Sequence, residues 1–207
     1  MNDSLAEHYL ADALQTFRDY KALAEKAMAQ VVDEEFLLAI DKESNSIGVI
    51  VKHMAGNMLS RWTDFLSTDG EKPSRHRDME FVITEGTTRA ELTAYWERGW
   101  ACVFAALEPL RVEDFNRKVL IRGEEHTIIQ AINRQLTHYA YHTGQIVFLA
   151  KHLRSVEWKS LSIPRNRSAE FNTYLEEHNR RADDHEARGR RFSSSLDFIR
   201  ESESKKS

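Results

Sequence analysis

His138 and His142 lie four residues apart in a stretch whose apolar residues recur with a helical period. On a helix that spacing puts both imidazoles on one face, a turn apart, which suits two ligands of one metal ion. A third histidine, His53, is followed by Asn57 and Arg61 at steps of four along another helical segment. Both rows run along the flank of their helix's apolar stripe. If the two flanks face each other, three neutral imidazoles meet at one point. Three histidines with an open fourth position make a catalytic type of zinc centre, able to activate water, polarise a carbonyl or ionise a thiol. The same residues also fit a plainer role, because flank histidines on bundle helices are often boundary residues that only hydrogen-bond.

Asn57 and Arg61 are candidates to orient a substrate or anchor an anionic group. They are equally candidates for a bond to a neighbouring helix and for pairing with Asp64 or a loop carboxylate. Gln145, three residues after His142, is placed to support that ring from behind. Arg75, Arg77 and Arg134 carry planar forks that match carboxylates, although surface charge is the simpler reading of each. No residue stands out as a general base. No glutamate follows His138, so this is not a zincin helix. Two Glu-x-x-His motifs are absent, which argues against a ferritin-like di-iron site. Cys102 is the only cysteine; it excludes a disulfide within the chain and a Cys-based zinc knuckle, and it reads as an inert buried thiol.

Four helices must position these groups. Ser4 and Glu7 form a capping box that opens the first, with Leu10, Leu14, Phe17, Ala24, Met28 and Val31 as its stripe and Lys21 as a polar break. Asp33 to Ser46 reads as a connector. The second helix starts at Ser46, carries Ile47, Val51, Met54, Met58, Trp62 and Phe65 inward, and ends at Asp69-Gly70. Glu71 to Gly86 is a long, charged connection of the kind that is functional or acts as a crossover. A capping box at Thr88 and Glu91 opens the third helix, and Pro109 closes it. Alternation around Gly123 predicts a short β-hairpin over Arg117 to Glu125. A further capping box, Thr127 and Gln130, starts the fourth helix, which runs to about His152. That helix is apolar on two faces, because Tyr141 and Phe148 project opposite its core stripe. A second copy of the chain covering this face, as a homodimer, is the expectation. The predicted fold is therefore all-α, a four-helix bundle with a short β-hairpin before the fourth helix.

With 207 residues, 41% of them hydrophobic, the chain can build one ordinary domain. We expect that domain over 1–172. A charged tail follows over 173–207, helical at first and disordered by Ser193. The net charge of −4 leaves no footprint for nucleic acid. No apolar run is long enough to cross a bilayer, and Met1 to Glu7 lacks the pattern of a signal peptide, so a cytoplasmic location without membrane contact is expected.

The run Lys52-His53-Met54-Ala55-Gly56-Asn57-Met58-Leu59-Ser60-Arg61-Trp62 and the run His138-Tyr139-Ala140-Tyr141-His142-Thr143-Gly144-Gln145-Ile146 resemble the DinB/YfiT-like superfamily. The resemblance spans about residues 4 to 172. The segments Asp64 to Phe81 and Trp158 to Asn172 resemble a branch of unassigned function. It implies a four-helix bundle, commonly dimeric, with one metal-ligating histidine on the second helix and a His-x-x-x-His pair on the fourth. By matching motif these are His53, His138 and His142. It further implies a metal-dependent transferase or isomerase chemistry that in several members uses a low-molecular-weight thiol. The expectation is thus a metalloenzyme holding a divalent ion, zinc or nickel first and manganese or iron next. The ion would activate water or a small thiol for transfer to, or hydrolysis of, a small-molecule substrate. The alternative is a non-catalytic dimeric helical bundle with structural metal or none.

Overall fold

Ser46, Thr88 and Thr127 decide where three of the long helices begin. Each hydroxyl accepts a backbone N–H three residues on: Val49 at 3.2 Å, Glu91 at 3.2 Å and Gln130 at 3.1 Å. Glu91 and Gln130 return the bond to the cap's own N–H, at 2.8 Å and 2.9 Å. Each such cap contributes about 1 kcal/mol. The expected box at Ser4 lies outside the described residues. The computed structural model describes residues 5–181, 195, 197–199 and 201.

The elements are α1 (Leu5–Met28), α2 (Asp33–Leu37), α3 (Ile47–Trp62), α4 (Arg89–Leu107), β1 (Lys118–Ile121), β2 (Glu124–Thr127), α5 (Ile128–Arg154) and α6 (Ser168–Arg181). The chain is thus mostly helical, with one two-stranded antiparallel hairpin. It divides into two compact units, Met1–Ser155 and Val156–Ser207. In the first, α3 packs on α4 and α1 on α5, while α3 also meets α5 and α1 meets α4. One ring from each long helix fills the centre: Phe17, Trp62, Trp100 and Tyr139. The Phe17 ring lies 5.6 Å from Tyr139, 6.2 Å from Trp100 and 6.4 Å from Trp62. Such offset and edge-on pairs contribute about 0.5–1.5 kcal/mol each beyond their buried area. Gly99 lets α4 approach α3 closely, since a Cβ there would sit 3.1 Å from the Ala55 Cα.

In the second unit, Phe171 and Tyr174 of α6 pack against Phe198, both at 5.4 Å between ring centres. Among the described residues no helix is long and apolar enough to cross a membrane.

Three boundaries differ from expectation. α3 stops at Trp62, well short of Asp69-Gly70, because Asp64 turns into the left-handed region at φ 48°. Aspartate tolerates that conformation better than most residues. Phe65 is still buried, its ring 5.2 Å from Trp62, so it kept the apolar period without being helical. The connector after α1 contains the five-residue α2, pinned by Phe36 beneath the Arg89 guanidinium. α6 begins at Ser168, five residues before the tail expected to start as a helix at 173. Ser193 itself lies outside the described residues; beyond it, residues 195, 197–199 and 201 are helical.

The hairpin turns on Arg122 and Gly123, with φ 57° and 77°. That is the positive-φ pair of a two-residue hairpin turn, whose twist matches the strands. Asp69 ties the loop after α3 to it, accepting the N–H groups of Arg122 at 2.8 Å and Gly123 at 2.7 Å. Gly70 donates to the Leu120 carbonyl at 2.8 Å. On α5, Tyr141 and Phe148 are each 63% exposed in the single chain.

Candidate metal centre

His53 enters from α3, and His138 and His142 from α5. The Nε2 atom of His138 lies 3.3 Å from that of His53 and 3.1 Å from that of His142. One ligating atom from each of the three histidines falls within 4.8 Å of the others. Two nitrogens bound tetrahedrally to one zinc at 2.0–2.1 Å sit about 3.3 Å apart. These two separations are therefore those of a donor set around a small cation.

The rings are held from behind. His53 Nδ1 is 2.9 Å from Glu80 Oε2, and His142 Nδ1 is 2.8 Å from Gln145 Oε1. Both partners are acceptors, so Nδ1 carries the hydrogen on each ring and Nε2 keeps its lone pair. Three converging nitrogens, two of them fixed as acceptors, cannot all be satisfied by one hydrogen on His138. A divalent cation would satisfy all three.

Burial comes first in setting the protonation of this cluster. It pushes His138 down to about 3, with the neighbouring His142 and His53 adding to the effect. It pushes His142 down to about 4, against the opposing bond from Gln145. Both imidazoles are therefore neutral near pH 7, the form that binds metal.

Glu80 sits on a 3₁₀ turn, Arg77–Phe81, in the long connection between α3 and α4. The same turn stacks Phe81 against the His53 ring at 4.8 Å. Arg75 grips the carboxylate with two bonds, Nε to Oε1 at 2.7 Å and Nη2 to Oε2 at 2.8 Å. Burial would raise the Glu80 pKa, but the bonds and charges of Arg75 and His53 outweigh it and hold the group ionised below the usual range. The turn reaches this close because residue 56 is glycine: a Cβ there would lie 2.3 Å from Glu80 Oε1.

Asn57 accepts a bond from the Tyr139 hydroxyl at 3.3 Å, and the same hydroxyl accepts from Trp62 Nε1 at 3.1 Å. Arg61 is buried and bonds the Gly70 carbonyl and Glu71 Oε2, the latter at 3.1 Å. Gln145 supports His142 from behind. Neither Glu80 nor Arg75 was picked out by sequence as support for the centre. The available signal was a glycine in mid-helix, three residues after His53, which usually marks a close approach.

His53 and His138 open onto a cleft of about 420 Å³, also bordered by Asn57, Arg61 and Tyr141. A larger cleft, about 860 Å³, is walled by Gly56, Arg75 and Glu80 but by none of the three histidines. The smaller one is bordered by two of the three histidines, and it is the one with chemistry at its wall.

Fold and site together define a mostly helical protein with a three-histidine cluster, two of its rings buried and His138 half-buried. The chain belongs to the family described as "Protein of unknown function (DUF1572)", whose model matches residues 4–167. Neither the curated proteins nor the solved structures include a match.

Proposed function

We propose that this protein is a divalent-metal-dependent enzyme of the DinB/YfiT-like type, a four-helix bundle whose His53, His138 and His142 hold zinc or nickel, with manganese or iron as other occupants. The observation that carries this reading is the convergence of three Nε2 atoms, two with their Nδ1 committed to Glu80 and Gln145. A bound divalent ion would supply Lewis acidity, activating water or a small thiol for transfer or hydrolysis. The protein's own part is to aim the rings. The Arg75-clamped Glu80 carboxylate locks the His53 tautomer and raises that ring's basicity. The Tyr139–Asn57 bond ties α5 to α3. The exposed Tyr141 and Phe148 on α5 support a homodimer through that face.

The test is metal content per chain on untagged protein, with the His138→Ala, His142→Ala double variant alongside. About one ion per chain, lost in the double variant, is expected. No ion in either, after reconstitution with zinc and with nickel, overturns the reading.

One observation favours a second reading. No carboxylate and no further histidine lines the cleft among the described residues, so nothing there acts as a general base. A non-catalytic dimeric bundle with a structural ion fits that. Chelation separates the two: a structural ion holds the fold together, so its removal lowers Tm steeply. Removing an open catalytic ion changes Tm less and abolishes activity.

A further inference from the structure

The cleft at the histidine cluster is walled by five arginines: Arg61, Arg75, Arg77, Arg122 and Arg134. They come from four separate elements, α3, the loop after it, the hairpin turn and α5, so no single helical face explains their meeting. Two nearby carboxylates answer them in part. Glu80 is taken by Arg75, and Glu71 is shared by Arg61 and Arg122, each at 3.1 Å. Arg77 reaches Asp78 only at 3.8 Å and lies over the Phe81 ring. Arg134 has no ion pair among the described residues. Deeper in, the Nε of Arg61 is buried without a hydrogen-bond partner. A buried donor left unmet is costly, and this one sits on a guanidinium that lines the cleft.

We infer that this cleft binds the anionic oxygens of a small molecule, a carboxylate or a phosphate, and thereby sets the substrate class of the centre. Arg134 and Arg77 at the exposed rim take the anion in charge-assisted bonds, and the positive field steers it in. The molecule's uncharged, electrophilic part then faces the Nε2 atoms of His53 and His138. A volume of about 420 Å³ suits a small metabolite and excludes a macromolecule. This rests on the metal-centre reading for its chemistry, but anion binding itself does not need the metal.

The experiment is calorimetric titration of the full chain with inorganic phosphate and, separately, with malonate. It is run on metal-free and on zinc-loaded protein, at low ionic strength where exposed charges are least screened. Arg134→Gln and Arg77→Gln are both exposed changes that leave the core intact. Arg98→Gln, on α4 and away from the cleft, is the control for diffuse charge. One probe site per chain is expected in metal-free protein. Affinity should fall about tenfold to a hundredfold in each cleft variant, the cost of one charged hydrogen bond, and stay unchanged in the control. Saturation by phosphate alone assigns a phosphate ester, and by malonate alone a carboxylate. Failure of both probes to saturate below about 10 mM overturns the inference, as does equal weakening by Arg98→Gln. Binding that needs zinc and ignores the arginine variants also overturns it, while leaving the metal centre standing. Absence of metal, with anion binding intact, has the opposite meaning.

Discussion

Gly56→Ala adds a single methyl group and should damage the site without touching a histidine. A Cβ at residue 56 would lie 2.3 Å from Glu80 Oε1, 2.8 Å from its Cδ and 3.2 Å from its Cγ. An overlap on the order of 1 Å must be relieved, since non-bonded heavy atoms prefer roughly 3.5 Å or more. The carboxylate is the end of a flexible side chain, but it is clamped by Arg75 and His53 through three bonds of 2.7–2.9 Å. The weakest anchor is the single bond to His53, so that is the one we expect to break. Losing a bond between a charged acceptor and a buried ring costs about 1.5–3 kcal/mol. Alanine in place of glycine in a helix returns about 1 kcal/mol. The net expectation is a loss of about 0.5–2 kcal/mol in urea unfolding. Zinc affinity should weaken about 10- to 100-fold, as happens when a ligand loses its outer partner. Competition against a chromogenic chelator measures the second quantity. In a Glu80→Ala background the clash is gone, so adding Gly56→Ala should stabilise by about 1 kcal/mol. If Gly56→Ala alone stabilises the protein and binds zinc like the wild type, Glu80 does not support the centre.

Arg75→Met should leave the Glu80 carboxylate buried without its cation, held by His53 alone, costing about 3 kcal/mol in urea unfolding; a cost near zero contradicts the buried pair. Tyr139→Phe keeps the ring but strands Trp62 Nε1 and Asn57 Oδ1 in the core, for a loss of about 2 kcal/mol, read by thermal unfolding against an unchanged circular dichroism spectrum. Asp69 is held ionised by N–H groups of Glu71, Gly123 and Arg122, with Arg61 nearby. Its folded pKa therefore lies below the unfolded value of about 3.9, and its support for the hairpin turn is complete above that pH and lost as pH falls through the lower folded pKa. The Gly123 amide shift in NMR should titrate with a midpoint under 3.9, and a midpoint at or above it refutes the tie. Phe148→Glu should convert a dimer to a monomer in light scattering, whereas a wild-type monomer at micromolar concentration removes the homodimer.

What could be read from the chain was what is local. The caps at Ser46, Thr88 and Thr127 act over three residues, and the hairpin depends on two residues at its turn. The rows His53-Asn57-Arg61 and His138-His142 follow a helix period, so their faces were legible before any fold was known. α2 was not, because five residues are too few to show a period. Phe65 shows the opposite failure, an apolar residue in step with a helix that had already ended. Glu80 was invisible for a different reason. It reaches His53 across 27 residues of chain from a 3₁₀ turn, and no spacing rule links the two. The five arginines of the cleft come from four elements and acquire a common meaning only when the elements pack.

X-ray absorption at the zinc edge of the reconstituted protein tests the central claim most directly. One ion with three imidazole nitrogens at about 2.0–2.1 Å and one exchangeable oxygen donor is expected. A shell made only of oxygen, or one containing sulfur from Cys102, would contradict it.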